Sequence, residues 1–153
     1  MAPQIAVRSV QPADFAAWQV LWEGYNTFYG RTGPKALAPE VTHTTWQRFL
    51  DPYEPMHALI AERAGSILGL VHFIYHRSTT QRTAVCYLED LFTLESVRGQ
   101  GVARTLIEAV YARAQADQLR SVYWQTHESN VVAMRLYDKM AQRAGFLVYD
   151  KNL

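Results

Sequence analysis

The run Arg98-Gly99-Gln100-Gly101-Val102-Ala103 joins an apolar, strand-like segment (Tyr87 to Leu94) directly to an amphipathic helix. Strand, glycine turn and helix in that order commit the chain to an α/β arrangement in which a helix N-terminus opens at the end of a strand. Such a terminus carries unpaired N–H groups and a partial positive charge, and glycines let a phosphorylated ligand approach the backbone without Cβ clashes. The turn therefore reads as a phosphate cradle.

The flanking pattern extends this into one domain covering 1–153. Ile5 to Val10 alternates weakly as a first strand, and Pro12-Ala13-Asp14 starts a helix on which Phe15, Trp18, Trp22, Tyr25 and Tyr29 recur at helical spacing. Gly30 to Pro39 reads as a loop and Pro39 to Asp51 as a second helix, with Val41, Trp46 and Phe49 inward. His57 to Arg63 and Ile67 to Arg77 flank the turn Ala64-Gly65-Ser66 as a hairpin, and Thr83 to Leu94 is a third such run. After Gly101 the apolar period becomes helical: Val102, Ala103, Leu106, Ile107, Val110 and Ala114 share a face. Ser121 to Thr126 is expected as a short strand, Ser129 to about Arg143 as a helix and Gly145 to Asp150 as a last strand. The order predicts a mixed, mostly antiparallel α/β sheet of about six strands with helices on both faces.

With 49% hydrophobic residues in 153, the chain can bury one ordinary core. Fifteen basic against fourteen acidic residues give a net charge of +1, which offers no basis for nonspecific binding to nucleic acid or a membrane surface. The single cysteine, Cys86, excludes an internal disulfide framework and reads as a core thiol. No basic, apolar leader and no membrane-spanning run is visible, so a cytoplasmic protein is expected. His72 and His76 share a strand face but stand about 13 Å apart, too far to share a metal, and no metal site is expected.

Two kinds of phosphate loop fail on their own terms. The dinucleotide fingerprint needs a third glycine where Arg104 stands and a carboxylate about 20 positions later, where none is found near Leu119 to Val122. A P-loop needs a lysine after its last glycine, and none follows Gly101. The remaining spacing, Arg98-x-x-Gly101-x-Ala103, resembles the acyl-CoA loop of the GCN5-related N-acetyltransferase (GNAT) superfamily. Upstream, Tyr87-Leu88-Glu89-Asp90-Leu91-Phe92 is similar to the fourth strand of that family. Downstream, Asn130-x-x-Ala133-x-x-Leu136-Tyr137 followed by Gly145-Phe146 is similar to its second helical motif. The resemblance covers roughly residues 85 to 150, nearest to the spermidine/spermine and the fungal histone and polyamine acetyltransferases.

The resemblance implies acetyl-CoA as co-substrate and a fold whose fourth and fifth strands splay apart at a bulge. It implies that backbone groups of Leu91, Phe92 and Thr93 pair with the pantetheine arm. Arg98, Gly99, Gln100, Gly101, Val102, Ala103 and Arg104 would hold the phosphates, with Asn130 and Tyr137 as further cofactor contacts. Capping its own helix is the competing role for Asn130, and solvation the competing role for Arg104. Acetyl transfer to an amine needs a base for the ammonium proton and an acid for the departing thiolate. Tyr137 matches the family's acid. Glu89, a carboxylate inside an apolar strand, is the candidate base, a structural or substrate-charge role being the alternative. Strand periodicity sends Glu89 and Asp90 to opposite faces unless a bulge intervenes. Tyr25, Phe28 and Tyr29 lead into the loop that borders the acceptor pocket in this superfamily, where aromatic faces attract ammonium; plain packing is the competing role.

Seven residues separate Tyr137 from Gly145, more than in many members, and about one extra helical turn is expected from them. Little chain follows Phe146, so the sheet is expected to keep an uncovered edge and to pair there as a homodimer. The leading expectation is an acetyl-CoA-dependent N-acetyltransferase for a primary amine of a small molecule: a polyamine, an amino acid or a similar metabolite. A protein or peptide acetyltransferase, acting on lysine or an N-terminus, is one alternative. A CoA-binding regulatory module without catalysis is the other.

Overall fold

The computed structural model describes residues 3–153. Strands β1 (Ala6–Ser9), β2 (Met56–Arg63), β3 (Ser66–His76), β4 (Val85–Thr93) and β5 (Val122–Tyr123) form one sheet in sequential order. The pairs from β1 to β4 are antiparallel, whereas β4 and β5 run parallel. Between them lie α1 (Phe15–Phe28), α2 (Pro39–Leu50) and α3 (Val102–Ala116), and α4 (Val131–Met140) follows β5. Five strands stand where about six are expected, in the anticipated α/β layering.

The central strands are apolar on both faces because both are covered. Leu59, Ala61, Val71 and Phe73 pack with Leu106, Ile107 and Val110 of α3. Their alternating neighbours Ala58, Ile60 and Leu70 pack with Trp18, Leu21 and Trp22 of α1 and Trp46 of α2. Cys86 belongs to the first core, fully buried, and burial pushes its thiol up to about 12. It is inert packing.

Two local features set the register. Ala64 and Gly65 take φ of 50° and 80° between the paired residues Arg63 and Ser66, the left-handed pair of a tight hairpin turn. In β4, Asp90 pairs with His72 and Leu88 with Phe73, leaving Glu89 as an extra, unpaired residue. The bulge resets the alternation: Leu88 and Leu91 pack into the α3 core, while Phe92 turns to the α1 side.

Beyond β4 the outcome departs from expectation. The strand predicted over Ser121 to Thr126 pairs only at Cys86 with Val122 and Tyr87 with Tyr123, after which β4 and β5 part. The last helix is shorter than predicted, and the seven residues after Tyr137 do not lengthen it: Ala141 is already extended. The hydroxyl of Tyr111 donates to the Met140 carbonyl at 3.0 Å, and Arg143 reaches back to Asp138 at 2.8 Å, so the helix end is closed there. The strand predicted over Gly145 to Asp150 does not form. Phe146, Leu147 and Tyr149 are instead 91%, 81% and 92% exposed and pair with no strand among the described residues. Among the described residues no helix is long and apolar enough to cross a membrane.

Candidate active site

A cavity of about 660 Å³ opens where β4 and β5 diverge. Its floor is the end of β4, with Leu91, Phe92 and Thr93; one wall is the Arg98-to-Arg104 turn, another the inner face of α4, and the third the last turn of α1. Each wall follows from local sequence. Gly99 and Gly101 adopt φ of 76° and 85°, which side chains with a Cβ rarely do, and a Cβ at either would meet nothing within 4 Å. The turn thus presents bare backbone to open space. The first helical bond of α3 runs from Thr105 N–H to the Gly101 carbonyl at 3.0 Å, so the amides of Val102, Ala103 and Arg104 lie ahead of the helix's own bonding.

Gln100 stands apart from the rest of the turn. Its amide donates to the Val97 carbonyl, and its side chain accepts from Arg63 and donates to the Ser96 carbonyl. It shapes the turn from outside and does not line the cavity. Arg98 and Arg104 both line it, the latter only loosely held by Glu108 at 3.9 Å. Asn130 occupies the N-cap position of α4 without a capping bond from its side chain, which donates instead to the Thr126 hydroxyl at 3.2 Å and lines the cavity.

Tyr137 projects from α4 into the same space, its ring edge-on to Trp124 at 5.5 Å. Burial, and secondarily Tyr29 across the cavity, push its phenol up to about 12. The proton is therefore retained at neutral pH. At the α1 end of the cavity, where the acceptor is expected from the sequence, stand Tyr25, Phe28 and Tyr29, with Tyr25 buried and the other two 58% and 44% exposed. The aromatic stripe of α1 is graded: Trp18 and Trp22 are core, and only the last turn opens onto the cavity. Beyond Tyr87 the β5-facing edge of β4 has no strand partner among the described residues, leaving an open edge along the floor.

Glu89 sits on the bulge, its side chain outward, and partial burial followed by the Asp90 charge raises its carboxyl above the ordinary range. It does not line the cavity. Asp90, given no role by sequence reasoning, is buried beside Tyr25 and faces His72 Nδ1 at 2.9 Å. The indole N–H of Trp18 donates to His72 Nε2, also at 2.9 Å. Trp18, His72 and Asp90 form a buried chain leading to Tyr25 at the α1 end of the cavity. The only signal for it in the sequence is a histidine among apolar residues opposite an acidic strand. Among the described residues no three His, Cys, Asp or Glu side chains converge as a metal site.

Residues 18–141 match the model of the acetyltransferase (GNAT) family. The chain belongs to that family. It is 35% identical over 151 residues to a D-amino-acid N-acetyltransferase of Saccharomyces cerevisiae, covering 97% of this chain and 91% of the relative. This kinship makes it an N-acetyltransferase. In fold it is similar to an aminoglycoside N-acetyltransferase solved with CoA (TM-score 0.81, 17% identity, 100% of this chain and 98% of the other). A ribosomal-protein-alanine N-acetyltransferase from Brucella melitensis superposes similarly (TM-score 0.79, 17% identity, 98% and 99% covered).

Proposed function

We propose that this GNAT enzyme transfers the acetyl group of acetyl-CoA to the primary amine of a small molecule by direct attack, with both substrates bound. One observation carries the reading: a single cavity joins the unbonded amides of the glycine turn to the Tyr137 phenol and to the Tyr25/Tyr29 aromatic pair. The residues fit CoA. Positive-φ glycines, the amides of Val102, Ala103 and Arg104, and two arginines suit a pyrophosphate, and the open edge of β4 suits an extended amide-bearing arm. When bound, acetyl-CoA would supply a thioester carbonyl open to attack by nitrogen.

The remaining steps belong to the chain's own groups. Leu91, Phe92 and Thr93 orient the donor by backbone pairing, and Asn130 holds the arm from the α4 side. Glu89 takes a proton from the acceptor ammonium through water, its raised pKa bringing it nearer to that task. As the N–C bond forms and the C–S bond breaks, the departing sulfur takes the Tyr137 proton. The amine's second proton leaves with solvent.

A small acceptor is favoured over a basic peptide because no carboxylate lines the cavity, whose acceptor end is aromatic. The yeast relative is named for D-amino acids, and amino acids are the first acceptors to test. The test is release of CoA thiol over a panel of D- and L-amino acids, polyamines and lysine peptides, with the acetylated amine identified by mass. Acetylation of small amines alone is expected. Tight CoA binding with no transfer to any amine would leave a regulatory module, and transfer to peptides alone would make it a protein acetyltransferase.

We also infer a homodimer. An apolar segment that exposes Phe146, Leu147 and Tyr149, in a chain whose sheet ends in the two-residue strand β5, leaves both a donor and a receptor for strand pairing, and a second copy satisfies both.

A further inference from the structure

Arg31 stands behind Tyr25 and Tyr29, next to the cavity rather than in its lining, and has no acidic partner among the described residues. Its Nε donates to Asn26 Oδ1 at 2.7 Å, and it pairs with no carboxylate among the described residues. Its guanidinium lies 5.6 Å from the Tyr25 ring centroid and 5.4 Å from that of Tyr29, the two tyrosines that line the cavity.

This position is built, not incidental. Gly30, at φ 73°, ends α1: its amide donates to the Thr27 carbonyl at 3.0 Å and that of Arg31 to the Asn26 carbonyl at 2.8 Å, which folds the chain back over the helix end. Asn26 is buried, and its own amide is tied to the Trp22 carbonyl at 2.8 Å, so the oxygen that holds Arg31 is fixed. The two ring faces hold the guanidinium plane, and both Nη groups are left to bind a ligand. Asp90 lies within hydrogen-bonding reach of the Tyr25 hydroxyl, so the phenol is pushed up by burial and then by that carboxylate, and drawn down by Arg31.

A cation and an anion beside one tyrosine suit a molecule that carries both charges. An α-amino acid separates ammonium and carboxylate by one carbon, and hydrogen bonds of about 2.9 Å at each end extend its reach. A polyamine carries only positive charge, which Arg31 repels.

We infer that Arg31 is the specificity-determining residue of the acceptor site, anchoring a free α-carboxylate through its Nη groups while Tyr25, Tyr29 and Asn26 hold it in place. The inference rests on the small-amine transferase reading and narrows it to acceptors that bear a carboxylate next to the amine.

The test compares D-phenylalanine, D-phenylalaninamide and phenethylamine as acceptors, by thiol release, in the wild type and in Arg31→Gln and Arg31→Lys. The wild type is expected to favour the free amino acid over the amide by about ten- to a hundredfold in kcat/KM, mainly through KM. In Arg31→Gln that ratio collapses toward one, and Arg31→Lys keeps part of it. Equal use of all three acceptors by the wild type overturns the inference while leaving the transferase reading intact. So does an equal loss on amino acid and amide in Arg31→Gln, which would mark Arg31 as packing for the pocket. Silence toward every amine, amino acids and carboxylate-free acceptors alike, would instead overturn the transferase reading, and the anchor with it.

Discussion

His72 Nδ1 lies 2.9 Å from Asp90 Oδ2 in the interior of the sheet, at the register position where β4 resumes pairing after its bulge. Trp18 decides where the ring proton sits. An indole N–H only donates, so Nε2 of His72 accepts and Nδ1 carries the proton to Asp90. The carboxylate that underlies the acceptor end is thus held by a chain of side chains from α1, β3 and β4.

Breaking that chain leaves a buried polar group unpaired. Asp90→Asn and His72→Leu are each expected to lose about 1–3 kcal/mol of folding stability, read from urea midpoints at constant m. Trp18→Phe removes the donor and also buried ring area, and is expected to cost as much or more. A loss below about 0.5 kcal/mol for Asp90→Asn would show that the carboxylate is not held as described.

The pH dependence of turnover follows from two shifted groups. As the proposed base, Glu89 acts only when ionised, and its pKa is raised, so activity should climb as pH rises through a value above the ordinary glutamate range. Glu89→Gln should lower kcat by about a hundredfold and remove that acidic limb. Tyr137 donates only when protonated, and with its phenol at about 12 it imposes no alkaline fall within a normal assay range. Tyr137→Phe should lower kcat at least about a hundredfold while CoA affinity, measured by calorimetry, stays near that of the wild type.

Ala64 holds φ of 50° in the β2–β3 turn, a left-handed position that costs an alanine about 1 kcal/mol. Its side chain is not needed there. Ala64→Asn and Ala64→Gly are expected to leave the register unchanged and to raise Tm by a few degrees, with Asn ahead because it gives up less chain entropy. A lowered Tm for both would mean that the turn is not strained.

The exposed C-terminal segment bears on assembly. Light scattering at micromolar concentration should give about twice the 17.5 kDa chain mass, and the double variant Phe146→Asp/Tyr149→Asp should return it to the monomer. A monomer at every concentration would remove the strand-pairing account.

Local signals made most of the layout readable before any tertiary contact. The 3.6-residue period from Val102 to Ala114 lies wholly within α3 and starts where it starts, and the Ala64-Gly65 turn fixes the hairpin, because both are decided by neighbours along the chain. The glycine turn was legible because only glycine takes the φ found at Gly99 and Gly101 at little cost. The strand expected at Gly145 to Asp150 failed for the opposite reason: alternation makes a segment able to pair, and pairing needs an edge that sequence does not display.

The sequence by itself determined the α/β order, the cradle and the family, and it placed Tyr137 and the aromatic end of α1 on elements that turn out to share a cavity. Tertiary structure decided what no periodicity encodes. The bulge at Glu89 depends on how β3 pairs with β4, and it brings Asp90 to His72 and Tyr25. Arg31, which looks like one loop residue among many, acquires its place from a helix cap and two rings packed from the preceding turns. On the proposed reading, donor binding rests on local backbone geometry, whereas acceptor choice rests on side chains brought together from distant parts of the chain.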